Sequence, residues 1–451
     1  MDRKDLQQMY PTAKPKTVAG EFGYSRMGYW AMFTAPNPAI RLPHERRKLN
    51  PKKAEVVTVF GASGFLGCEI VKELLAHPDI KKVRACTRYP TQIPEGSDFD
   101  KIIQAADDKL ELHECDVTDR IQVNVAANGA DTLIMAIDYH AEYVTNSHHD
   151  VFTTGGTNVA WTGMSCRCER VILCSGMDST FHSESNFVDY RCRGEEAVAG
   201  NFGDATIIRF GNLFGKDYRY RGLGRYIYPC VYPQTLCQPL WVKDAARAVV
   251  RCCRSSRAIR HKFDLGGPET MSHLQFVQTM SKHYHKRLCV PTPPTVGRPF
   301  AKLMPWVVPN PWFDDNMLGM WELDNIPRSS QMFDRLGGWE KLEYTPHTFE
   351  DAASLDYKGV DTKGKPLPTM KELDDMYEMS EQREKEAFSK EELAAKKRGI
   401  WRAKAEPGMG RGQGMELVAQ EIYPGEQFRS KPLEGAKYPD TVKHPGPASI
   451  H

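Results

Sequence analysis

The chain reads as an α/β protein: a doubly wound parallel sheet, a smaller C-terminal α/β lobe, and extended N- and C-terminal appendages. Three observations predict this. An apolar run at residues 56–60 ends in Gly61-x-x-Gly64-x-x-Gly67 and passes at once into a helical apolar pattern of Phe65, Ile70, Val71, Leu74 and Leu75. Strand-like and helix-like runs then alternate to about residue 270, which implies parallel strands joined by helical crossovers. At both ends the composition shifts toward charge, Gly and Pro, which buries too little apolar area to fold alone.

Residues 1–55 form the first segment, a basic arm with eleven Lys or Arg against five Asp or Glu. Six of the basic residues fall in 41–53. That cluster suits anionic lipid or an acidic partner, and equally a solvated linker. There is no apolar h-region, so the N-terminus does not read as a secretory signal, and the early Asp2 and Asp5 argue against a mitochondrial presequence.

Residues 56–217 form the second segment, the nucleotide-binding domain. Strands are expected at 56–60, 82–87, 110–115, 132–136, 170–174 and 206–209, with helices between. Residues 218–360 form the smaller lobe, closing over the sheet's carboxyl edge. It holds Gln238-Pro-Leu-Trp-Val-Lys-Asp244, a helical run at 245–253, a strand-like run at 262–266, a helical run at 271–284, and a Pro/Trp-rich stretch at 291–321. The cluster at 306–321 fits either lobe core or a partner-facing patch. Residues 361–451 carry sixteen basic and sixteen acidic residues and no Cys. Residues 371–404 read as a solvated or partner-bridging helix, and 408–451 as a polar Gly/Pro-rich tail.

A formal net charge of +2 gives no reason to expect nucleic acid as a partner. Mean hydropathy is −0.52, and no apolar run approaches the ~20 residues needed to span a bilayer. A soluble protein, or one peripheral to a membrane, is expected. The twelve Cys show no C-x-x-C pair and no zinc spacing, so free thiols in a reducing compartment are expected.

Strand, glycine turn and helix together make a phosphate site. Gly61 allows a sharp turn, Gly64 lets a pyrophosphate approach the backbone, and Gly67 lets helix and strand pack closely. The helix N-terminus offers unpaired N–H groups. Ligands of such sheets sit at the strands' carboxyl ends. The first turn therefore contributes Gly61, Ser63, Gly64, Phe65, Leu66 and Gly67. After the second strand come Thr87 and Arg88. A free ribose 2′-OH calls for Asp or Glu here, whereas Arg suits a 2′-phosphate, so NADPH (NADP) is favoured over NAD(H). Asp116 and Val117 follow the third strand and face the adenine edge, unless Asp116 caps a turn. Ala136 and Ile137 follow the fourth, beside the dinucleotide.

Several motifs resemble the extended and atypical short-chain dehydrogenase/reductase superfamily, with its Rossmann fold: Gly61-Ala-Ser-Gly-Phe-Leu-Gly67, Cys115-Asp-Val-Thr-Asp119, Arg209-Phe-Gly-Asn-Leu-Phe-Gly215, Gln238-Pro-Leu-Trp-Val-Lys-Asp244 and Phe263-Asp-Leu-Gly-Gly-Pro268. Within it, Gly194-Glu195 and Asn212-Leu-Phe-Gly-Lys-Asp-Tyr-Arg219 resemble the nucleotide-binding accessory subunits of mitochondrial respiratory complex I, the alpha-subcomplex subunit 9 type. The resemblance covers roughly residues 55–345. It implies other complex I subunits as partners and a peripheral position on the matrix side of the inner membrane. It also implies that Ser175, Arg191 and Phe210 approach the cofactor.

Reductases of the superfamily use Tyr-x-x-x-Lys and an upstream Ser. Aligned on Gly194-Glu195, the Tyr position holds Phe187 and the Lys position Arg191. Phe has no proton to give, and Arg stays protonated. No catalytic residue is therefore expected, and Phe187 and Arg191 are vestigial positions. Tyr190 with Ser175 is the alternative if the frame slips. The resulting expectation is a non-catalytic NADP(H)-binding subunit. Its rivals are an active reductase or epimerase and a free nucleotide sensor. His148-His149-Asp150 reads as a solvated loop rather than a metal site, and Asp244 as a helix cap.

Overall fold

The structure is a computed structural model. It describes residues 54–383 apart from 107, 139–145, 182, 184, 217–226, 256–257, 285, 287, 308–312, 328–335, 377 and 381. The basic cluster at 41–53 and the tail beyond 383 lie outside the described residues, as do the expectations attached to them.

The first half alternates strand and helix. In order come β1 (Val56–Phe60), α1 (Phe65–Ala76), β2 (Lys82–Thr87), α2 (Asp98–Ala105), β3 (Leu110–Glu114), α3 (Arg120–Ala127), β4 (Thr132–Met135), α4 (Gly155–Ser165), β5 (Arg170–Gly176), α5 (Asn186–Asn201) and β6 (Thr206–Phe210). A π-helical turn, His149–Thr154, leads into α4. The second half has short strands and helices: β7 (Leu213–Phe214), β8 (Ile227–Cys230), β9 (Leu236–Cys237), β10 (Leu240–Trp241), α6 (Val242–Arg254), β11 (Lys262–Leu265), β12 (Met271–Ser272), α7 (His273–His283), β13 (Leu288–Pro291), α8 (Pro294–Val307), α9 (Asp315–Trp321), β14 (Leu336–Gly337), α10 (Trp339–Leu342) and α11 (Phe349–Lys358).

Eight strands form one sheet in the order β14-β11-β6-β5-β4-β1-β2-β3. Every pair in it is parallel. The strand order reverses between β1 and β4, which makes their carboxyl ends the crevice of a doubly wound fold. Helices cover both faces because alternate strand residues point to opposite sides. Val57 and Val59 bury against Ile70 and Leu74 of α1 and Val249 of α6. Phe60 buries with Leu133, Val159 and Phe187 on the other face. A third core gathers Phe214, Trp241, Phe276, Phe313, Trp321 and Phe349.

Three expectations are corrected. Asp244 is not the cap of α6: Trp241 holds that place, and Asp244 lies in the first turn, fully buried. Its carboxylate accepts from Tyr344 Oη at 2.6 Å, His347 N at 2.7 Å and His347 Nδ1 at 2.8 Å, clamping the segment before α11 to the start of α6. His148 is not in a solvated loop. It is wholly buried against Phe152 and Phe187, while His149 points outward beside Asp150. Finally, part of the charged extension packs. Met370 and Leu373 are buried in the core under α1 and α6. Asp374 Oδ2 lies 2.9 Å from His77 Nε2, at the end of α1, and 3.3 Å from Arg254. A charge-rich sequence hides such contacts because their partners lie far away along the chain.

Candidate functional site

The crevice starts at the turn after β1. Gly61 has φ of +82°, and a Cβ there would meet Ala136 O at 2.6 Å. A Cβ on Gly67 would collide with Gly61 O, so α1 seats against β1 only because that atom is missing. Gly64 is the N-cap of α1 and supplies no side-chain hydrogen bond, and the helix has no acid in its first turn. Its first N–H groups therefore have no side-chain acceptor at the cap, which is what an anion needs at a helix start. Ser63 and Gly64 are exposed, and Phe65 and Leu66 are half-buried.

The neighbouring strand ends complete this edge. Ser63 Oγ lies 3.2 Å from Thr87 Oγ1, so the turn after β1 touches the end of β2. Arg88 follows, half-buried, its guanidinium 5.8 Å above the Tyr89 ring. Ala136 N bonds Phe60 O at 2.9 Å, and Ile137 borders Gly61. The structure thus brings Gly61, Ser63, Gly64, Thr87, Ala136 and Ile137 to one edge. Asp116 organises its own turn, accepting from Thr118 N at 2.9 Å, Thr118 Oγ1 at 2.8 Å and Asn146 Nδ2 at 3.2 Å. Val117 and Phe210 are core residues, 5% and 3% exposed.

At the end of β5 the crevice has a different character. Ser175 Oγ donates to Glu195 Oε1 at 2.6 Å. A hydroxyl has one proton, so Ser179 Oγ, 3.0 Å away, donates to Ser175. Arg191 Nε in turn donates to Ser179 Oγ at 2.8 Å. Arg191 also pairs with Asp178 and lies 4.6 Å over the Phe187 ring. Gly176 makes this possible, since a Cβ there would strike both Arg191 and Asp178. Glu195 is 1% exposed and bonds Arg209 through Nε at 2.9 Å and Nη2 at 2.8 Å, with Lys262 Nζ at 2.6 Å. Burial alone would push the Glu195 carboxyl up, but Arg209 and Lys262 outweigh it and hold it below the usual carboxylate range.

Phe187 and Arg191 share one face of α5, four residues apart. Phe187 is 1% exposed, edge-on to Phe152 and His148. Tyr190 lies on another face of α5, its ring edge-on to His149 at 5.5 Å with Arg193 over it. Ser175 instead engages Ser179 and Glu195. Among the described residues, the arrangement provides a glycine-lined helix start at one end and a closed charge network at the other. Sequence reading missed Asp178, Glu195, Arg209 and Lys262 as members of that network. Gly194-Glu195 was noticed only as a frame marker, and a carboxylate one turn past Arg191 was the available signal.

Sheet order, switch point and glycine turn define the class: a doubly wound, Rossmann-type α/β protein. A family model described as the 3-beta hydroxysteroid dehydrogenase/isomerase family matches residues 58–199. The chain is also homologous to named subunits. It is 25% identical over 325 residues to the mitochondrial NADH dehydrogenase (ubiquinone) 1 alpha subcomplex subunit 9 of Rattus norvegicus, covering 68% of this chain and 81% of that one. It is 24% identical over 296 residues to the mitochondrial NADH-ubiquinone oxidoreductase 40 kDa subunit of Neurospora crassa, covering 64% and 76%. Among solved structures, an NADPH-dependent quinone oxidoreductase of Escherichia coli complexed with NADPH is similar, with TM-score 0.48 and 14% identity over 66% of this chain and 98% of that one.

Proposed function

We propose that this chain is a non-catalytic NADP(H)-binding accessory subunit of mitochondrial respiratory complex I, peripheral on the matrix side. The observation that carries this reading is the contrast within one crevice: an intact glycine cradle and a far end closed by Ser175, Glu195, Arg191 and Asp178. The relatives' names supply the assembly. The described residues contain no helix long and apolar enough to cross a membrane, which agrees with peripheral attachment.

The donor set fits the cofactor. Gly61, Gly64, Phe65, Leu66 and Gly67 would take the pyrophosphate with backbone N–H groups. Ser63, Thr87 and Arg88 offer two hydroxyls and a guanidinium to a 2′-phosphate. Asp116 and Val117 would border the adenine, and Ala136 and Ile137 would back the dinucleotide. Ser175, Arg191 and Phe210 would approach the nicotinamide end. NADP(H), when bound, supplies hydride chemistry. At that end Ser175 has already committed its proton to Glu195, Phe187 has none, and Arg191 remains protonated. The bound dinucleotide then stabilises the fold, by about 2.7 kcal/mol at a hundred times its Kd.

Gentle isolation of the native protein tests this reading. The chain should migrate with a large membrane complex and release stoichiometric NADP(H) on denaturation. A free monomer or dimer would defeat the assembly reading. Reduction of an added carbonyl by the bound cofactor, abolished in Tyr190→Phe, would restore the reductase reading.

A further inference from the structure

A reductase of this fold needs open space beyond the carboxyl ends of β5 and β6, because ligands of such sheets bind outside those ends. In this chain residues from far downstream already stand there. Helix α9 and the residues after it, as far as Asn325, are fixed at both ends by different partners.

The first part lies on the start of α5. Ser185, the N-cap of α5, donates from Oγ to Asn316 O at 3.2 Å. A Cβ on Gly319 would strike Ser185, so α9 approaches α5 there only because that atom is missing. Met320 and Leu323 are half-buried against the core that holds Phe187, the residue at the Tyr position of the reductase motif. The second part is added to β9. Asn325 N donates to Leu236 O at 2.8 Å, and Asn325 O accepts from Gln238 N at 3.0 Å. Leu236 N also donates to Asp324 Oδ1 at 2.9 Å.

Asn325 joins this segment to the closed end of the crevice. It is 5% exposed, and its Nδ2 lies 3.4 Å from Oδ1 of Asp178, the carboxylate that pairs with Arg191. Between the segment and Asn212, Thr235, Cys237 and His273 remains a cavity of about 10 Å³. That is room for about one water, and too little for a carbonyl compound.

We propose that residues 314–325 are a built-in strap that occupies the place of a substrate. Both of its ends are held by the chain itself, so its closure needs no ligand. A carbonyl compound reaches the end of β5 only if Met320, Leu323 and Asn325 move. A second consequence rests on the NADP(H) reading: the strap shields the nicotinamide end of the bound dinucleotide from small hydride acceptors.

Two readouts on the full purified chain test it, one of them free of cofactor. Cys237 lines the cavity and is 2% exposed. Methyl methanethiosulfonate, read by peptide mass mapping, should label it about tenfold more slowly in the native chain than in Leu323→Ala or Asn325→Asp, which favour local opening. The second variant sets a carboxylate beside Asp178, and like charges repel. With protein in excess, phenazine methosulfate should oxidise bound NADPH about tenfold more slowly than free NADPH, because the site is sealed, and both variants should narrow that gap. Should the variants fail to fold, hydrogen exchange of the native chain decides: the amides of Gln238 and Asn325 should exchange as slowly as those joining β5 to β6. Rapid labelling of Cys237 in the native chain, labelling unmoved by folded variants, fast exchange at Asn325, or bound NADPH oxidised as fast as free would overturn the proposal. Protection of Cys237 in a chain that binds no NADPH would support the strap and defeat the cofactor reading.

Discussion

The two ends of the sheet's carboxyl edge are built in opposite ways. At the turn after β1, side chains are missing: Gly61, Gly64 and Gly67 leave backbone against backbone. At the end of β5, side chains fill the space, and Gly176 is small so that Arg191 and Asp178 can meet beside it. The first arrangement leaves backbone donors for a ligand. The second satisfies its own donors and leaves Ser175 without a proton to offer. On the reading proposed above, one crevice keeps its affinity and loses its chemistry, because the glycine turn follows β1 and the closed network stands at the end of β5.

The largest expected effect breaks the closed end. Glu195→Gln leaves Arg209 and Lys262 facing a neutral amide, and loss of one partner of a buried pair costs about 3–5 kcal/mol; chemical denaturation measures it. The same group sets an acid response. Its folded pKa is depressed, so its stabilisation is present above the unfolded carboxylate value of about 4.3 and is lost as pH falls through the folded value. Melting temperature should drop on acidification below about pH 4 in the native chain, and the Gln variant should lack this component.

The open end comes next. Gly67→Ala drives a Cβ into the Gly61 carbonyl, an overpacking that costs about 1–3 kcal/mol or more and should also abolish dinucleotide binding; thermal melts with and without NADPH separate the two losses. Arg88→Ala removes a charged hydrogen-bond donor worth about 1.5–3 kcal/mol. In titration calorimetry NADPH affinity should fall by one to two decades, about the equivalent of that energy, with NADH affinity unchanged. Equal loss for both cofactors would take the 2′-phosphate away from Arg88. The smallest effect sharpens the contrast. Tyr190→Phe should change stability by less than about 0.5 kcal/mol and leave cofactor release unaltered, because Tyr190 faces His149 rather than Ser175.

Local patterns made much of this readable. The strands expected at 56–60 and 82–87 have those bounds in the structure: the first is a short, mostly apolar run, and the second alternates half-buried Lys82 and Arg84 with buried Val83 and Ala85. The glycine spacing was readable because Gly64 and Gly67 answer contacts within one β-turn-α unit and Gly61 needs a positive φ, although the atom that crowds Gly61 is Ala136 O after β4. The closed end was not, because Ser175, Glu195, Arg209 and Lys262 come from four separate elements and meet only once β5, β6 and β11 are in register. Asp244 was misread for a related reason. A carboxylate at a helix start suggests a cap, yet its partners Tyr344 and His347 lie about a hundred residues on, 100 and 103 positions away.

The contact between His77 and Asp374 spans 297 positions of the chain. Helix α1 is among the first elements to be synthesised, and the carboxylate at its far end is among the last. Until Asp374 is available, the buried imidazole of His77 and the guanidinium of Arg254 have lost an acceptor they share. Closing so long a loop comes late because it has little local help. A chain ending before residue 370 would carry the glycine turn after β1 yet lack Met370, Leu373 and Asp374, and so leave the far ends of α1 and α6 without their cover.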